Sequence, residues 1–342
     1  MDIKFPKPQY LGAKYIHGEW ITRHIPDCAH VVLDAFSGSQ SIAFLCKQLE
    51  KKVITNDFLK FNSEIGKALI ENKNEILNPE DIELLFSDNS APDDYNLMEQ
   101  LFTDVFFIRD ETKFLDAFRS NIDKLKNEYK KALAFTVINR ALTRKVTMGH
   151  FAHTQALVYA ANPDRIKRNR SLIRPIKDIF LELVSEYNYA VFDNGFECVS
   201  YNENIISLLP TLSNVDLVYF DPPYCNSHAD YQGFYHLLET YTNYWKDKEF
   251  INGTKRYSPK KESGFETKKE IIDSFRKLFS LSIDIPYWLI SYNDRSYPDI
   301  QTIVELIRPY RKVSVERKLY QTGRGGKGSV AGSNEILLVC KP

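Results

Sequence analysis

The sequence predicts an α/β protein whose parallel sheet is interrupted by a long helical insert, and three observations predict it. Short runs of β-branched and apolar residues, each carrying an acid at or near its end, occur at 30–36 and 215–221. Runs of this kind are the pattern of strands buried on both faces of a parallel sheet. The first is followed by Ser37-Gly38-Ser39-Gln40 and then by a helical stretch over 41–49, a strand–turn–helix plan. Between about 62 and 190 the strand patterns give way to helical periodicity, and they return near 198.

Bulk properties narrow the class. A chain of 342 residues suits one large domain or two, and 43% apolar with 13% aromatic residues is ample for a packed core. Basic and acidic residues balance at 45 each. A nucleic-acid binder of this composition must therefore cluster its positive charge. Five scattered cysteines without Cys-x-x-Cys spacing predict reduced thiols in the cytoplasm, and neither a disulfide frame nor a structural zinc. No run is apolar enough to cross a bilayer and no secretory signal opens the chain.

In chain order, Tyr10-Leu11-Gly12-Ala13-Lys14-Tyr15 reads as a loop entering a helix. The strand over 30–36 carries Asp34 and Phe36, and its turn places Gly38 where backbone must approach closely. A helix starting at such a turn presents free N–H groups to a polar or anionic ligand. A second strand over 52–58 ends in Asp57 and Phe58, about 20 residues after the turn, where Rossmann-like sites hold ribose hydroxyls. In the insert, Leu115, Phe118, Ile122, Leu125, Tyr129, Ala132 and Phe135 share one face of a helical pattern over 114–141, and 78–95 reads as loop.

Residues 140–177 hold Arg140, Arg144, Lys145, Arg165, Lys167, Arg168, Arg170, Arg174 and Lys177 against the single acid Asp164. Charge runs are usually solvated faces. This one is concentrated in a chain that is otherwise neutral to acidic, which suits phosphate contacts. Between its clusters lies Thr147-Met148-Gly149-His150-Phe151-Ala152-His153-Thr154-Gln155, a mixture of donors and acceptors fit for a base-reading loop. Its two histidines suit packing equally well, and no carboxylate or cysteine accompanies them as a metal ligand. Strand character returns over 198–204, ending at Asn204.

The run ending Asp221-Pro222-Pro223-Tyr224 carries the chemistry. Two prolines donate no backbone N–H and stop the strand abruptly. The acid and the turn carbonyls can accept two hydrogen bonds from one amino group, and the tyrosine can stack on a planar ring. Aromatics over 231–245 and a basic stretch with Lys255 and Arg256 suit a closing lid, although half of the aromatics read equally well as core. Further strands are predicted over 284–293, 312–320 and 335–339, with a glycine-rich loop at 323–329 that opens no helix and so is not a phosphate-binding loop.

Asp221-Pro222-Pro223-Tyr224 after a hydrophobic strand resembles the catalytic motif of the Dam-like, S-adenosylmethionine-dependent DNA adenine-N6 methyltransferases. The resemblance covers roughly 1–62 and 195–342. It implies a Rossmann-like class I methyltransferase sheet in two parts, 1–62 and 193–342, around a helical target-recognition insert over 63–192. It implies S-adenosylmethionine held by Tyr10, Lys14, Asp34, Phe36, Gly38, Asp57, Phe58 and Asn204, with catalysis by Asp221, Pro222, Pro223 and Tyr224. Double-stranded DNA, the implied partner, would meet Arg140, Arg144, Lys145, Arg165, Lys167, Arg168, Arg170, Lys255 and Arg256. A companion restriction endonuclease acting on the same site belongs to the same expectation. Two positions depart from the pattern: Gln40 stands where a second glycine is usual, and Asn204 where an acid is. They keep open a non-catalytic nucleic-acid-binding relic, beside an amino-methyltransferase acting on RNA adenine or on cytosine N4.

Overall fold

The computed structural model describes residues 3–146, 148–223, 230–319 and 334–342. Among them nine strands form: β1 (Val31–Asp34), β2 (Lys52–Asn56), β3 (Val199–Tyr201), β4 (Leu217–Phe220), β5 (Glu249–Phe250), β6 (Tyr257–Ser258), β7 (Tyr287–Asn293), β8 (Lys312–Leu319) and β9 (Asn334–Lys341). The chain packs as two compact units. One comprises 1–15, 59–193 and 231–261, the other 16–58, 194–230 and 262–342.

The second unit holds a seven-stranded sheet in the order β3-β2-β1-β4-β7-β9-β8. The first five of these strands run parallel; β9 pairs antiparallel with β7, and β8 antiparallel with β9 at the edge. Strands β1 and β4 are buried along almost their whole length, which is why their sequences read as unbroken apolar runs. Edge strand β8 instead keeps most of its charged residues exposed, as an edge that must not recruit another strand does. The Asp216 carboxylate accepts the His30 and Val31 N–H groups, each at 2.8 Å, and so pins the start of β1 beside the start of β4. Strand order reverses between β1 and β4, and the crevice at the carboxyl ends of such a pair is where open α/β sheets bind ligands.

The first unit is helical, with the small hairpin β5–β6. The single helical pattern over 114–141 is two helices, Arg109–Lys124 and Glu128–Arg144. The break falls at Leu125, and the Asn127 side chain caps the second helix by accepting from Tyr129 and Lys130 N–H. Leu115, Phe118, Ile122, Leu125, Ala132 and Phe135 are all buried, so the apolar face survives the break and hides it from periodicity. Within 78–95, read as loop, Pro79–Leu85 is a helix closed by a reciprocal Asn78–Asp81 capping box. Its proline at the first turn is a helix start rather than a breaker.

Candidate active site

Everything at the carboxyl end of β1 is organised around the turn that follows it. Ser37 N–H donates to Asn56 O at 3.0 Å, Gln40 N–H to Ser37 O at 2.7 Å, and Gln40 Nε2 to Ser37 Oγ at 2.7 Å. Gln40 sits in the left-handed region at φ 67°, the conformation that the usual glycine would supply, and is buried. The departure at this position is thus accommodated by a side chain folded back onto its own turn. Gly38, also left-handed at φ 46°, donates its N–H to Asp57 Oδ2 at 2.8 Å. The carboxylate expected to hold ribose hydroxyls therefore also fixes the turn.

Asn56 is a part of the site that no motif in the sequence singles out. It is 1% exposed, donates to Ala35 O and Glu203 O at 3.2 and 3.1 Å, and accepts from Glu203 N–H at 3.0 Å. With Asn202 donating to Asp57 O at 2.8 Å, it joins the ends of β1, β2 and β3 into one rim. A polar residue at the end of a strand buried from Val53 onward was the available signal. Asn204 caps the short helix Ile205–Leu208 by accepting from Ile206 N–H at 3.0 Å, and donates to Glu262 O at 3.4 Å. Phe36 lies edge-on to Phe265, half-buried, and Phe58 is half-buried at the end of β2.

Asp34 is 1% exposed, and its Oδ1 has no hydrogen-bond partner among the described residues. Burial first, then the negative charge of Asp221, then that of Asp57, raise its carboxyl well above the usual range, while the backbone of Ala43 and Phe36 pulls the other way. Asp221 leaves the end of β4, half-buried, with Pro222 buried behind it. Below this turn the Tyr219 hydroxyl shares a buried 2.7 Å hydrogen bond with Ser291 of β7. Burial, with Asp221 next, pushes that phenol upward. Tyr224 lies outside the described residues, as does the glycine-rich stretch at 323–329.

Tyr10 and Lys14 belong to the first unit. The Tyr10 ring stacks on Tyr235, with centroids 4.8 Å apart, and its hydroxyl accepts from Asn62 Nδ2 at 3.1 Å. Lys14 is buried and donates to Gly12 O. The basic residues of this unit sort into two groups. Lys145 is 6% exposed, 2.6 Å from Glu111 and donating to Arg174 O at 2.8 Å. Arg144 and Arg174 both bind Glu182, and Arg140 donates to Gln9 Oε1 and Thr143 Oγ1 at 2.9 and 3.1 Å. Arg140, Arg144 and Lys145, expected at DNA phosphates, thus each have partners on the protein itself, and of the three only Lys145 is buried. Glu111 and Glu182 lie outside the 140–177 window, so counting charge within it missed them. Lys167, Arg168 and Arg170 are exposed, and Arg165 lies over the Tyr159 ring at 3.6 Å. Lys255, itself at φ 58°, is in the turn of the β5–β6 hairpin, and Arg256 donates to Ala152 O.

Seven strands in this order, with an acid and two prolines leaving the strand beside the one that carries Asp34, are the plan of a Rossmann-like methyltransferase. Comparison with known proteins makes this particular. The model of the D12 class N6 adenine-specific DNA methyltransferase family matches residues 10–303, and the chain belongs to that family. It is 34% identical over 343 residues to the Type II methyltransferase M2.HphI of Haemophilus parahaemolyticus, with 98% of each chain covered. It is 25% identical over 336 residues to the Type II methyltransferase M.FokI of Planomicrobium okeanokoites, covering 88% of this chain and 48% of that one, about half the relative's length. The protein is a DNA adenine-N6 methyltransferase, and membership implies S-adenosylmethionine as methyl donor. The residues present fit that donor: a buried acid with an unsatisfied oxygen, among further carboxylates, suits a ligand bearing an ammonium and a sulfonium. No helix among the described residues is long and apolar enough to cross a membrane.

Proposed function

We propose that this chain is a site-specific modification enzyme of a Type II restriction–modification system, acting in the cytoplasm on an adenine flipped out of duplex DNA. The observation that carries the reading is the placement of Asp34, with its unsatisfied oxygen, within the electrostatic reach of Asp221 and Asp57 at the switch point of the sheet. Both relatives named above are Type II methyltransferases, which supports a companion endonuclease for the same target.

S-adenosylmethionine, when bound, supplies an electrophilic methyl group. Asp34 would take its α-ammonium, the Gly38 turn would lie along its methionine portion, and Asp57 would reach its ribose hydroxyls. Phe36, Phe58 and Asn204 would enclose its adenine, with Tyr10 and Lys14 contributed by the N-terminal segment. Asp221 and the Pro222 carbonyl would accept the two N–H hydrogens of the target N6. That amine is a poor nucleophile because its lone pair is delocalised into the ring. Two such acceptors favour a pyramidal nitrogen with the pair localised, and the carboxylate stabilises the positive charge that develops there. Extruding the base costs a few kcal/mol, which stacking on an aromatic such as Tyr224 would partly return. Arg165, Lys167, Arg168 and Arg170, with Lys255 and Arg256 of the hairpin, would meet the DNA, and the segment 63–192 would act as the recognition insert between the catalytic parts 1–62 and 193–342.

The test is methyl transfer from labelled donor to duplex DNA, single-stranded DNA and RNA, followed by nucleoside analysis. The expected product is N6-methyladenine in duplex DNA. Asp221→Ala is expected to bind donor normally by calorimetry and to lose about 10²–10³-fold in rate. Product confined to RNA or to cytosine, or a near-normal rate in Asp221→Ala, would refute the assignment.

A further inference from the structure

Given duplex DNA as the substrate, we infer that His153, Thr154 and Gln155 are the residues that read base edges in the target sequence. The segment around them is held on both sides by the protein. On one side, Gly149 sits at φ 72° so close to the N-terminal segment that a Cβ there would lie 2.4 Å from Gln9 Cγ. Gln9 is itself held by Arg140 at 2.9 Å. Phe151 N–H donates to Phe234 O at 2.7 Å, and Phe151 O lies 3.1 Å from His236 Nε2. Arg256 Nη2 donates to Ala152 O at 3.3 Å. On the other side, Ala156 is buried at the start of the next helix.

Between these anchors His153, Thr154 and Gln155 are exposed in succession. A loop whose interior residues are buried and bonded, and whose three consecutive outward residues all bear hydrogen-bonding groups, is pre-organised to present those groups to a partner. The chain then runs directly into its exposed positive charge. Gln155 Oε1 meets the Tyr159 hydroxyl, Arg165 lies over the Tyr159 ring, and Lys167, Arg168 and Arg170 follow at the surface. Phosphate contacts position a protein and base contacts specify its site. Here the two kinds of residue adjoin in one segment. Glutamine can bind adenine through two atoms, histidine can donate to or accept from a base edge, and threonine offers a hydroxyl and a methyl group.

The experiment measures target preference rather than rate alone. The wild type and His153→Ala, Thr154→Ala and Gln155→Ala are each expressed in a host lacking adenine methylation, and the sequence context of every N6-methyladenine is read. The ratio of kcat/KM on the target duplex to that on duplexes with one base pair changed is then measured for each protein. At least one of the three variants is expected to lose roughly 5- to 150-fold of this ratio at one base-pair position and keep it at the others. Arg168→Ala with Arg170→Ala is expected to weaken all duplexes alike and leave the ratio unchanged. Donor affinity by calorimetry checks the fold. Gln155→Glu, which keeps the side chain's size, adds a variant expected to shift the preferred base. Ratios within twofold of wild type in all four loop variants, or a uniform fall on every duplex, would overturn the inference. A wild type that methylates no adenine in DNA would instead overturn the proposed function, a result distinct from both.

Discussion

Replacing Asp34 by asparagine separates the two roles that its burial creates. The Asp34 carboxyl is 1% exposed, and its pKa is raised by burial, by Asp221 and by Asp57. A raised folded-state pKa means that the folded chain holds its proton more tightly than the unfolded one. The stability contributed in this way is complete below the unfolded value, about 3.9, and is lost progressively as pH rises through the folded value. Each unit of displacement corresponds to about 1.4 kcal/mol. The amide of Asp34→Asn carries no such proton, so the advantage of the variant in melting temperature is expected to grow from pH 4 upward and level off beyond the folded pKa. With the donor present the order reverses. The ammonium of S-adenosylmethionine would pair with the buried carboxylate, and removing one partner of a buried pair costs about 3–5 kcal/mol. The variant's Kd is therefore expected to rise by roughly two to four orders of magnitude at neutral pH. The wild type's own affinity is expected to weaken as pH falls through the raised pKa, because the acid must then be ionised at a cost. Calorimetric titration with S-adenosylmethionine across this range, beside thermal melts of both apo proteins, measures each effect. A variant that binds the donor within threefold of wild type, with parallel melting curves at every pH, would refute the reasoning.

Three further outcomes follow from the same geometry. Arg168→Ala with Arg170→Ala is expected to lower the slope of log affinity against log salt by about 2 on duplex DNA of any sequence, and an unchanged slope would remove both from the phosphates. Lys145→Ala leaves Glu111 in its half-buried site, so a loss of about 3–5 kcal/mol in urea unfolding is expected, where Arg168→Ala alone stays within about 0.5. Equal effects of the two would sink the division of the basic residues into internal and external. Gln40→Gly removes a left-handed residue's strain of about 1–2 kcal/mol and also the Ser37 hydrogen bond worth about 0.5–1.5. Donor affinity is expected to stay within a few-fold; a tenfold change would show that Gln40 does more than hold its own turn.

The parts of the fold that were legible in the sequence are those where one force dominates. Strands β1 and β4 are buried on both faces, so nothing but apolar and β-branched residues suits them, and the prolines after Asp221 can only end a strand. The acid at the end of β1 and the acid near the end of β2 followed from the same reasoning. Illegible were features decided by partners distant in sequence. Lys145 and Arg168 are alike as letters, and only the approach of Glu111 makes one internal. The break at Leu125 escaped because the turn keeps its apolar residue in phase with both helices. Gln40 looked like a defect because a left-handed turn is usually glycine, whereas here a side-chain bond to Ser37 accompanies that conformation.

The strand order also fixes when the protein can become whole during synthesis. β1 lies between β2 and β4, yet β4 begins only at Leu217, and β3, the outer neighbour of β2, begins at Val199. At about 5–20 residues per second, roughly ten to forty seconds pass on the ribosome between the emergence of β1 and that of β4. For most of that interval β1 and β2 are the only strands of this sheet to have emerged, and the edges that β3 and β4 will cover have no partner. The helices of 59–193 emerge during the wait and have their own compact packing to complete. A chain stopped inside that region would leave β1 and β2 without their neighbours, a natural substrate for chaperones or for aggregation.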